Sequence, residues 1–276
     1  SGKKIDKLHK PWIDDVVIKK KDKTYKRIPD ILDVWVDAGT VSWNCLDYPH
    51  RDDYFKKLFP ADFILEGKDQ IRGWFNLLMV ASMVSMKKRS FDNVYMHGFV
   101  QDAQGRKFSK SLENAVYPEE VTEKYGTDAL RFYFIGGANP GIDLNYNDND
   151  VKVKFRNLGV LWNLGNYLVN YANIDLLRKK QKLGIEEKYI ISKLNKTIKK
   201  VTETFDEYRL NEIPWMIENL FLSLSREYIQ MTRNKMDNDP DTVLLTVYNV
   251  LIDTLVLLAP ATPFITEKIY QEVLNK

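Results

Sequence analysis

Cysteine and histidine are scarce in this sequence of 276 residues, and their scarcity limits the kinds of site it can contain. There is one cysteine, Cys45, and there are three histidines, His9, His50 and His97. A single cysteine excludes a disulfide framework and a cysteine-based zinc site within these residues. The histidines and acids do not have the spacing of zinc ligands, so we predict no metal site. We expect Cys45 to be a buried or half-buried apolar residue, and His9 and His50 to have no functional role.

Long apolar runs and a strong net charge are also absent. No run approaches the roughly 18 apolar residues of a membrane helix, so we predict no contact with a membrane. The chain does not begin with the apolar core of a secretory signal peptide, which makes a cytoplasmic location the default expectation. The net charge of +3 does not by itself indicate a nucleic-acid-binding protein. Any RNA contact must therefore come from local clusters of basic side chains.

The first half of the chain has the pattern of a parallel β-α-β unit. Residues 61–66 form a short apolar run between Pro60 and Gly67, which is typical of a buried strand. Residues 69–86 have helical spacing, and residues 93–100 form a second strand. A parallel crossover of this kind binds its ligands beyond the carboxyl ends of the strands. Four residues at these ends are therefore expected at one rim: Glu66, Gly67, His97 and Gly98.

The second half has the pattern of packed amphipathic helices, after short helices predicted at residues 118–125 and from Asp128. The apolar positions form four stripes: Val151, Phe155, Leu158 and Trp162; Ile190, Leu194, Ile198, Val201, Phe205 and Tyr208; Met216, Leu220, Leu224, Tyr228 and Met231; and Leu244, Tyr248, Leu251, Leu255 and Leu258. A loop over residues 136–149, rich in glycine, asparagine and aspartate, predicts a boundary between domains at 1–146 and 147–276. The expected fold class is α/β followed by all-α.

The most informative stretch is residues 105–114, Gly-Arg-Lys-Phe-Ser-Lys-Ser-Leu-Glu-Asn. Two lysines, Lys107 and Lys110, alternate with two hydroxyls, Ser109 and Ser111. A loop with two cations and several hydrogen-bond donors suits the binding of a polyphosphate whose charge moves during a reaction. Taken alone, the stretch fits a solvated surface loop equally well.

Three further stretches precede this loop. They are Leu-Asp-Val-Trp-Val-Asp-Ala-Gly at residues 32–39, Ala-Asp-Phe-Ile-Leu-Glu-Gly-Lys-Asp-Gln-Ile-Arg-Gly-Trp-Phe at residues 61–75, and Tyr-Met-His-Gly-Phe at residues 95–99. In this order the motifs resemble the C-terminal half of the catalytic domain of class I aminoacyl-tRNA synthetases, in particular the archaeal-type isoleucyl-tRNA synthetases. The loop departs from the family's usual Lys-Met-Ser-Lys-Ser at Phe108, and Glu113 stands where glycine is usual.

The helical half resembles the same family. Residues 224–229, Leu-Ser-Arg-Glu-Tyr-Ile, and residues 257–267, Leu-Leu-Ala-Pro-Ala-Thr-Pro-Phe-Ile-Thr-Glu, are similar to parts of its anticodon-binding bundle. The resemblance thus implies the second half of a parallel-sheet Rossmann-type catalytic domain, followed by that bundle. Asp128 and Arg131 resemble the family's Asp-Ala-Leu-Arg, and we expect them to form a structural ion pair or a helix N-cap.

The resemblance implies that isoleucine is activated with ATP and Mg²⁺ to isoleucyl-adenylate and is then transferred to tRNA(Ile). The implied catalytic groups are those of the loop: Lys107, Ser109, Lys110 and Ser111. Lys110 is expected to stabilise the departing pyrophosphate, with support from Lys107. The implied contacts to ATP and adenylate are Glu66, Gly67, Asp69, Gln70, His97, Gly98 and Lys110. Read from the residues alone, residues 66–70 also fit a charged turn with Asp69 as an ordinary N-cap.

Trp35 and Trp74 correspond to the two tryptophans that flank isoleucine in the family. As core residues they would be equally ordinary, since most aromatic side chains are buried. Such a pocket can exclude bulky amino acids but cannot strongly reject valine, which has one methylene less than isoleucine. Isoleucyl-tRNA synthetases are the standard example, because one methylene changes the binding free energy by only about 1–3 kcal/mol.

Six basic residues of the helical half are candidates for phosphate contacts to tRNA: Arg156, Lys193, Lys196, Lys200, Arg226 and Arg233. A solvated helix face explains them equally well.

Two features of the family do not occur in these residues. The His-Ile-Gly-His signature and the editing insertion belong upstream of this region. The chain is therefore expected to be a piece of a longer, monomeric protein and to be inactive alone. The alternatives are a piece of a valyl-tRNA synthetase, a non-catalytic tRNA-binding module, and a two-domain interaction protein without these activities.

Overall fold

The computed structural model describes residues 6–7, 9–30, 33–109, 114–172 and 183–274. The chain divides into two compact units. The first comprises residues 1–64 and 69–94, and the second comprises residues 65–68 and 95–276. Two neighbouring strands run from the first unit into the second, so each unit holds one end of both strands.

The first unit contains a hairpin, three helices and the beginnings of the two shared strands. Its elements are β1 (Val17–Lys20), β2 (Lys23–Lys26), α1 (Val34–Asn44), α2 (Asp53–Leu58), the start of β3 (Ala61–Gly67), α3 (Trp74–Ser85) and the start of β4 (Phe91–His97). β1 and β2 pair antiparallel, with Val17 opposite Lys26 and Lys20 opposite Lys23.

Helices α1 and α3 pack closely because a glycine lies at their contact. A Cβ on Gly39 would lie 3.1 Å from the carbonyl oxygen of Leu77, closer than side chains normally approach a backbone atom. The indole Nε1 of Trp74 donates to the carbonyl oxygen of Ala38 at 3.0 Å, at the same part of α1. Asp33 caps α1 by accepting from the backbone N–H of Trp35 at 2.9 Å.

The predicted β-α-β unit is confirmed, with different boundaries. β3 and β4 are neighbours in one sheet. The backbone N–H of Ala61 donates to Ser90 at one end, and Glu66 lies beside His97 at the other, so the strands run in the same direction. The helix was predicted to begin at residue 69, but α3 begins at Trp74 because a 3₁₀ turn (Lys68–Ile71) and a break at Gly73 precede it.

The second strand ends earlier than predicted. β4 stops at His97, and Val100–Gln101 form a separate short strand, β5. β5 pairs in parallel with β6 (Leu144–Asn145), which lies within the predicted boundary loop. That loop is therefore tied back to the residues that follow the rim.

The second unit is mainly helical. Its helices are α4 (Pro118–Tyr125), α5 (Thr127–Gly136), α6 (Asp148–Tyr171), α7 (Ile185–Asp206), α8 (Ile213–Ser223), α9 (Ile229–Met231), α10 (Pro240–Leu258) and α11 (Pro263–Leu274). Short 3₁₀ segments occur at Leu210–Glu212 and Arg233–Asp237, and a π-helical segment occurs at Leu224–Tyr228. One hydrophobic core runs from Val121 to Val273 and joins all of the longer helices. The predicted helices at 118–125 and from Asp128 are confirmed.

Three of the four predicted apolar stripes are largely buried, but the stripe on α6 is shifted. Phe155 is 48% exposed and Trp162 is half-buried, whereas Leu161, Leu164 and Leu168 are buried. Val151 and Leu158 are buried as predicted. The prediction was wrong for Phe155, because α6 carries apolar side chains on more than one side and spacing alone does not say which side meets the core. The ends of two other stripes also lie at the surface: Phe205, Tyr208 and Met231.

Two further features differ from what the sequence predicts: the exposure of Cys45 and the apolar character of helix α10. Cys45 is exposed, not buried, because it is the C-cap of α1, where its backbone N–H bonds Val41 while the side chain reaches solvent. Helix α10 is long and apolar enough to cross a membrane by length and composition, with a mean hydropathy of 1.7. Most of that window, 61%, is buried inside the protein, so packing in the bundle accounts for its apolar character.

Asp128 and Arg131 hold the corner between α10 and α11. The Asp128 carboxylate accepts from the backbone N–H of Ile265 at 2.6 Å, where it complements the positive end of α11. The Arg131 guanidinium donates to the carbonyl oxygens of Ala261 and Pro260, both at 3.0 Å. Burial raises the pKa of Asp128, and the backbone N–H of Ile265 opposes that shift. The capping role expected for Asp128 is thus exerted on a helix distant in sequence, and the charge of Arg131 also acts to lower the pKa of Asp128.

Arg131→Met removes both hydrogen bonds to the corner while retaining an unbranched side chain. We expect the free energy of unfolding to fall by about 1–2 kcal/mol, since two carbonyls lose a charged donor. Urea denaturation followed by circular dichroism measures the change. Arg156→Met is the control, because Arg156 is an exposed arginine of α6 without a hydrogen bond in the described residues. Equal stability of the two variants would contradict the proposed contribution of the corner contacts.

Candidate functional site

Glu66 and His97 meet at the carboxyl ends of β3 and β4, as the strand pattern predicted. Glu66 Oε1 accepts from the backbone N–H of Gly67 at 2.9 Å and lies 3.7 Å from His97 Nε2. His97 Nδ1 lies 2.7 Å from the carbonyl oxygen of Gly98. Because a carbonyl only accepts, Nδ1 carries the hydrogen, and Nε2 of the neutral ring is an acceptor. Both side chains are half exposed, at 51%, so their polar atoms are accessible.

Gly98 is required by the protein's own backbone. A Cβ at this position would lie 2.2 Å from the carbonyl oxygen of Ile142. The family resemblance placed this glycine among the implied contacts to ATP and adenylate. The close approach that the structure shows is instead made by the segment 141–143.

Asp143 joins three segments of the site, and sequence reasoning missed it. Its Oδ1 accepts from the backbone N–H of Phe99 at 2.8 Å and forms an ion pair with Lys68 Nζ at 2.6 Å. Its Oδ2 accepts from Gln101 Nε2 at 3.2 Å. The Lys68 ammonium, followed by the Phe99 N–H, holds the pKa of Asp143 below its usual range. The residues after β3 and the beginning of β5 are therefore fixed to one carboxylate.

Asp102 organises the two ends of the cationic loop (residues 105–114). These ends, residues 101–107 and 114, are called the loop stem. Sequence reasoning missed Asp102 as well. Its Oδ1 accepts from the backbone N–H groups of Gln104 and Arg106, at 3.0 and 2.8 Å. Its Oδ2 accepts from Arg106 Nε at 2.7 Å and from Asn114 Nδ2 at 2.8 Å. Burial alone would raise its pKa, but these hydrogen bonds, that of Asn114 foremost, lower the pKa of Asp102 to about 2. The carboxylate is therefore ionised throughout the physiological range.

Asn114 closes the loop between its two ends. Its Oδ1 accepts from the backbone N–H of Ser109 at 2.9 Å, and its Nδ2 also donates to the carbonyl oxygen of Lys107 at 3.3 Å. Lys107 forms an antiparallel bridge with Gln101, and its side chain is exposed. Lys110 and Ser111 lie outside the described residues. The described part of the loop thus lies beside β5, whose residue Gln101 is three positions after Gly98.

Phe108 anchors the loop to the helical core of the second unit. This residue, which replaces the family's usual methionine, is partly buried and packs against the hydrophobic core of the helices. Its apolar character, not its identity, is what that contact requires.

A cavity of about 340 Å³ adjoins the rim within the second unit. Leu65, Tyr95, His97 and Gly98 line one part of it. Side chains of α5 and of the segment 138–144 line the rest, together with Val100 and Leu210. The lining is mostly apolar, with the His97 ring at its edge. Such a cavity suits a flat apolar group that has polar edges.

Asp69, Gln70, Trp35 and Trp74 belong to the first unit. Asp69 is not an N-cap, because it lies in the 3₁₀ turn and accepts from Gln70 Nε2 at 2.8 Å. Gln70 provides the cap instead, since its Oε1 accepts from the backbone N–H of Trp74 at 2.9 Å. Trp35 is 41% exposed near the start of α1, and Trp74 is half-buried with its indole bonded to that helix. Trp35 and Ala38 are three residues apart, so the Trp74 contact lies on the face of α1 that carries Trp35.

The six basic residues do not form one stripe. Lys193, Lys196 and Lys200 line a single groove between α7 and α8. Arg156 lines a different groove, beside α5 and α11. Arg226 and Arg233 are exposed but line neither groove.

Within the described ranges, no three histidine, cysteine or acidic residues are grouped so that they could hold a metal ion. A Mg²⁺ that accompanies a nucleotide is usually held by the phosphates and by water, with few protein ligands.

Two family models match the chain. Residues 1–147 match the class I tRNA synthetases for I, L, M and V, and residues 187–276 match the anticodon-binding domain of tRNA ligases. The isoleucine–tRNA ligase of Methanothrix thermoacetophila is 38% identical over 288 residues, covering 100% of this chain and 28% of the relative. That of Thermococcus kodakarensis is 38% identical over 280 residues, covering 97% of this chain and 26% of the relative. The chain thus spans little more than a quarter of the length of these relatives.

Solved structures share the fold. The chain aligns with the LeuRS of Agrobacterium radiobacter K84, from a ternary complex with tRNA and LeuAMS, with a TM-score of 0.74 and 22% identity, covering 95% of this chain and 33% of that one. It aligns with the methionyl-tRNA synthetase of Mycobacterium tuberculosis in complex with methionyl-adenylate with a TM-score of 0.76 and 22% identity, covering 89% and 51%. These alignments confirm the fold class expected from the sequence, part of a Rossmann-type domain followed by a helical bundle. The family match over residues 1–147, more than half of the sequence, establishes that this chain belongs to the class I tRNA synthetases.

Proposed function

We propose that this chain is the part of an isoleucine–tRNA ligase that contributes the cationic loop, the adjoining rim and an anticodon-binding bundle. The observation that carries the proposal is the position of Asp143. This carboxylate ties the segment after β3 to β5, and β5 carries the bridge to Lys107. The loop stem and the strand ends thus form one rigid edge, at the position where parallel sheets bind ligands. Sequence similarity to isoleucine–tRNA ligases along the whole chain supports isoleucine as the amino acid.

The proposed reaction requires positioning and charge neutralisation more than covalent catalysis. An oxygen of the isoleucine carboxylate forms a bond to the α-phosphorus of ATP. The bond from that phosphorus to the bridging oxygen breaks, and pyrophosphate leaves with the electron pair. Lys110 and Lys107 stabilise the charge that develops on the pyrophosphate, with hydrogen bonds from Ser109 and Ser111. A hydroxyl oxygen of the terminal ribose of tRNA(Ile) then bonds to the carbonyl carbon of the adenylate and loses its proton. The bond from that carbon to the phosphate oxygen breaks, and AMP leaves.

The rim has chemistry suited to the amino acid and the adenosine. The Glu66 carboxylate can accept from the ammonium group of isoleucine or from ribose hydroxyls. His97 Nε2, an acceptor in the tautomer that Gly98 imposes, can accept from the exocyclic amine of adenine. The mostly apolar cavity beside His97 offers space for a base.

The remaining assignments follow the family resemblance. Asp69 and Gln70 contact the adenylate along with Gly67, and Trp35 and Trp74 bound the pocket for the aliphatic side chain. The domains divide at residues 1–146 and 147–276. The complete enzyme is a cytoplasmic monomer whose partners are isoleucine, ATP with Mg²⁺ and tRNA(Ile).

Amino-acid-dependent exchange of labelled pyrophosphate into ATP tests the function. The protein encoded by the whole open reading frame around this sequence should catalyse exchange with isoleucine. The 276 residues alone should not, because the His-Ile-Gly-His string is not among them. Exchange that is faster with valine would favour the valyl enzyme. Binding of tRNA without any exchange would favour a non-catalytic module.

Lys110→Ala in that whole protein should lower the rate of adenylate formation by roughly 10²–10³, the usual effect of losing one preorganised charge donor. Single-turnover formation of adenylate measures the effect. Lys56→Ala is the control, because Lys56 is 71% exposed and pairs only with Asp52 in the described residues. An unchanged rate for Lys110→Ala would rule out this role.

Asp143→Asn should loosen the contact between the rim and the loop stem. The amide retains an acceptor for Phe99 but loses the charge that holds Lys68. We expect faster hydrogen exchange at the Phe99 amide and about tenfold slower adenylate formation, because the reacting groups are less well positioned. The matched control is Asp92→Asn. Asp92 lies on β4, and the change breaks its exposed ion pair with Arg89.

The ion pair between Asp143 and Lys68 has a defined pH dependence. The folded-state pKa of Asp143 is lowered, so its contribution is complete above the ordinary aspartate pKa of about 4 and is lost only as the pH falls below it. Protection of the Phe99 amide should therefore be constant from neutrality down to about pH 4. A loss of protection between pH 5 and pH 7 would contradict this assignment.

A further inference from the structure

A groove between α7 and α8 combines an exposed tryptophan with lysines. It has a volume of about 430 Å³. Lys193, Lys196, Thr197 and Lys200 line it from α7, and Trp215 and Asn219 line it from α8. The two helices run antiparallel, because Lys193 Nζ donates to Ser223 Oγ at 2.6 Å near the end of α8. Trp215, at the beginning of α8, therefore lies towards Lys200.

Packing does not explain the position of Trp215. Its side chain is 62% exposed, although Ile213, Met216 and Ile217 around it in the sequence are buried. A single exposed apolar residue is ordinary on a protein surface and would carry no argument alone. What distinguishes Trp215 is that three lysines line the same groove, whereas its one carboxylate, Glu227, lies beside Lys193 at the other end. A flat aromatic surface and positive charge are therefore presented together.

The positive charge is concentrated at the tryptophan end of the groove. Lys193 is engaged by Glu227 at 3.3 Å, and Glu227 also accepts from Ser223 and from the Tyr189 hydroxyl. Lys196 and Lys200, in contrast, are exposed and have no ion pair in the described part of the chain. They are four residues apart, so they lie on one face of α7 with their Cβ atoms about 5–6 Å apart.

We propose that this groove binds an unpaired RNA nucleotide, with its base stacked on Trp215 and the flanking phosphates bound by Lys196 and Lys200. Stacking on an aromatic side chain combined with backbone contacts from cations is how proteins hold single-stranded RNA. The Asn219 amide lies in the groove and can hydrogen-bond a base edge. That the RNA is tRNA rests on the proposed function, whereas binding by the groove can be tested without it.

A protein segment fits the groove less well. An amphipathic helix docks through several apolar anchors. Here the polar and charged side chains of α7 form one whole wall, and Trp215 is the one large exposed apolar side chain among the six residues named above. An acidic peptide remains chemically compatible with the lysines and is therefore included in the test.

The test measures dissociation constants for a labelled single strand of RNA about ten nucleotides long. The same strand annealed to its complement and a glutamate-rich peptide serve as comparison ligands. Wild-type protein should prefer the single strand. Trp215→Ala should weaken that binding by about tenfold, and Trp215→Phe should retain most of it, because a phenyl ring still stacks. The affinity for RNA falls as salt is added, and the logarithm of the association constant is linear in the logarithm of the salt concentration. The double variant Lys196→Gln and Lys200→Gln should make that slope shallower by about 1.4.

Two controls match these changes. Trp12 is another exposed tryptophan beside a lysine, with Lys7 Nζ 4.3 Å from its ring, so Trp12→Ala should leave RNA affinity unchanged. Lys87 and Lys88 are exposed, and their double change to glutamine removes the same charge. Full affinity of Trp215→Ala, equal binding of duplex and single strand, or tighter binding of the peptide would each overturn the proposal. If Trp215→Ala does not fold, the lysine variant still decides, because an unchanged salt slope for it would overturn the proposal.

A kinetic experiment separates this inference from the proposed function. In the protein encoded by the whole reading frame, Trp215→Ala should raise KM for tRNA and leave isoleucine-dependent pyrophosphate exchange unchanged, since the groove does not contact ATP. If wild-type protein shows no exchange, the proposed function fails. The oligonucleotide measurements then still accept or reject the groove.

Discussion

The candidate site depends on one carboxylate, that of Asp143, more than on any residue of the recognisable motifs. Strands β3 and β5 belong to different sheets, so no backbone ladder joins their ends. Asp143 supplies the connection by accepting from Lys68 on one side and from Phe99 and Gln101 on the other. Because β6 pairs with β5, the segment that carries Asp143 is itself fixed in register. A charge-assisted hydrogen bond is stronger than a neutral one. Because the pKa of Asp143 is lowered, its carboxylate stays ionised at neutral pH and can hold this edge, on which ligands bind.

The regular parts of this arrangement could be predicted from the sequence. The apolar run before Gly67 and the helical spacing after it gave a parallel strand pair, and the order of strands placed Glu66 beside His97. The periodicity of residues 190–258 gave the main buried faces of the bundle. In both cases a single physical effect, the burial of one face, determines the pattern, so the pattern can be interpreted without coordinates.

The connections could not be predicted, because their residues act through contacts that are distant in sequence or through local backbone geometry. Asp102 and Asn114 act through the local geometry of the loop, with partners 2 to 12 positions away. Asp143 is an ordinary polar residue of a loop, and only the fold brings Phe99 and Gln101, 44 and 42 positions away, to it. Asp128 was recognised as a structural residue, yet its partner, Ile265, lies 137 positions away. Gln70 caps α3 only because Gly73 breaks the helix that the spacing predicted. Cys45 was expected to be buried from residue type alone, and its place at the end of α1 decided otherwise.

The same distinction applies to the lysines. From the sequence alone, Lys193 belongs with Lys196 and Lys200, since all three lie on one face of α7. In the structure Lys193 is partly buried and compensated by Glu227, as Lys68, Lys154 and Lys235 are compensated by Asp143, Glu218 and Glu187. A lysine that leaves water needs such a partner, because desolvation of an unpaired ammonium is unfavourable. The partly buried lysines therefore stabilise the fold, and their charge is not available to a phosphate. Lys107, Lys196 and Lys200 remain in water without a carboxylate partner in the described residues, and a ligand can gain their full charge without first breaking an internal ion pair.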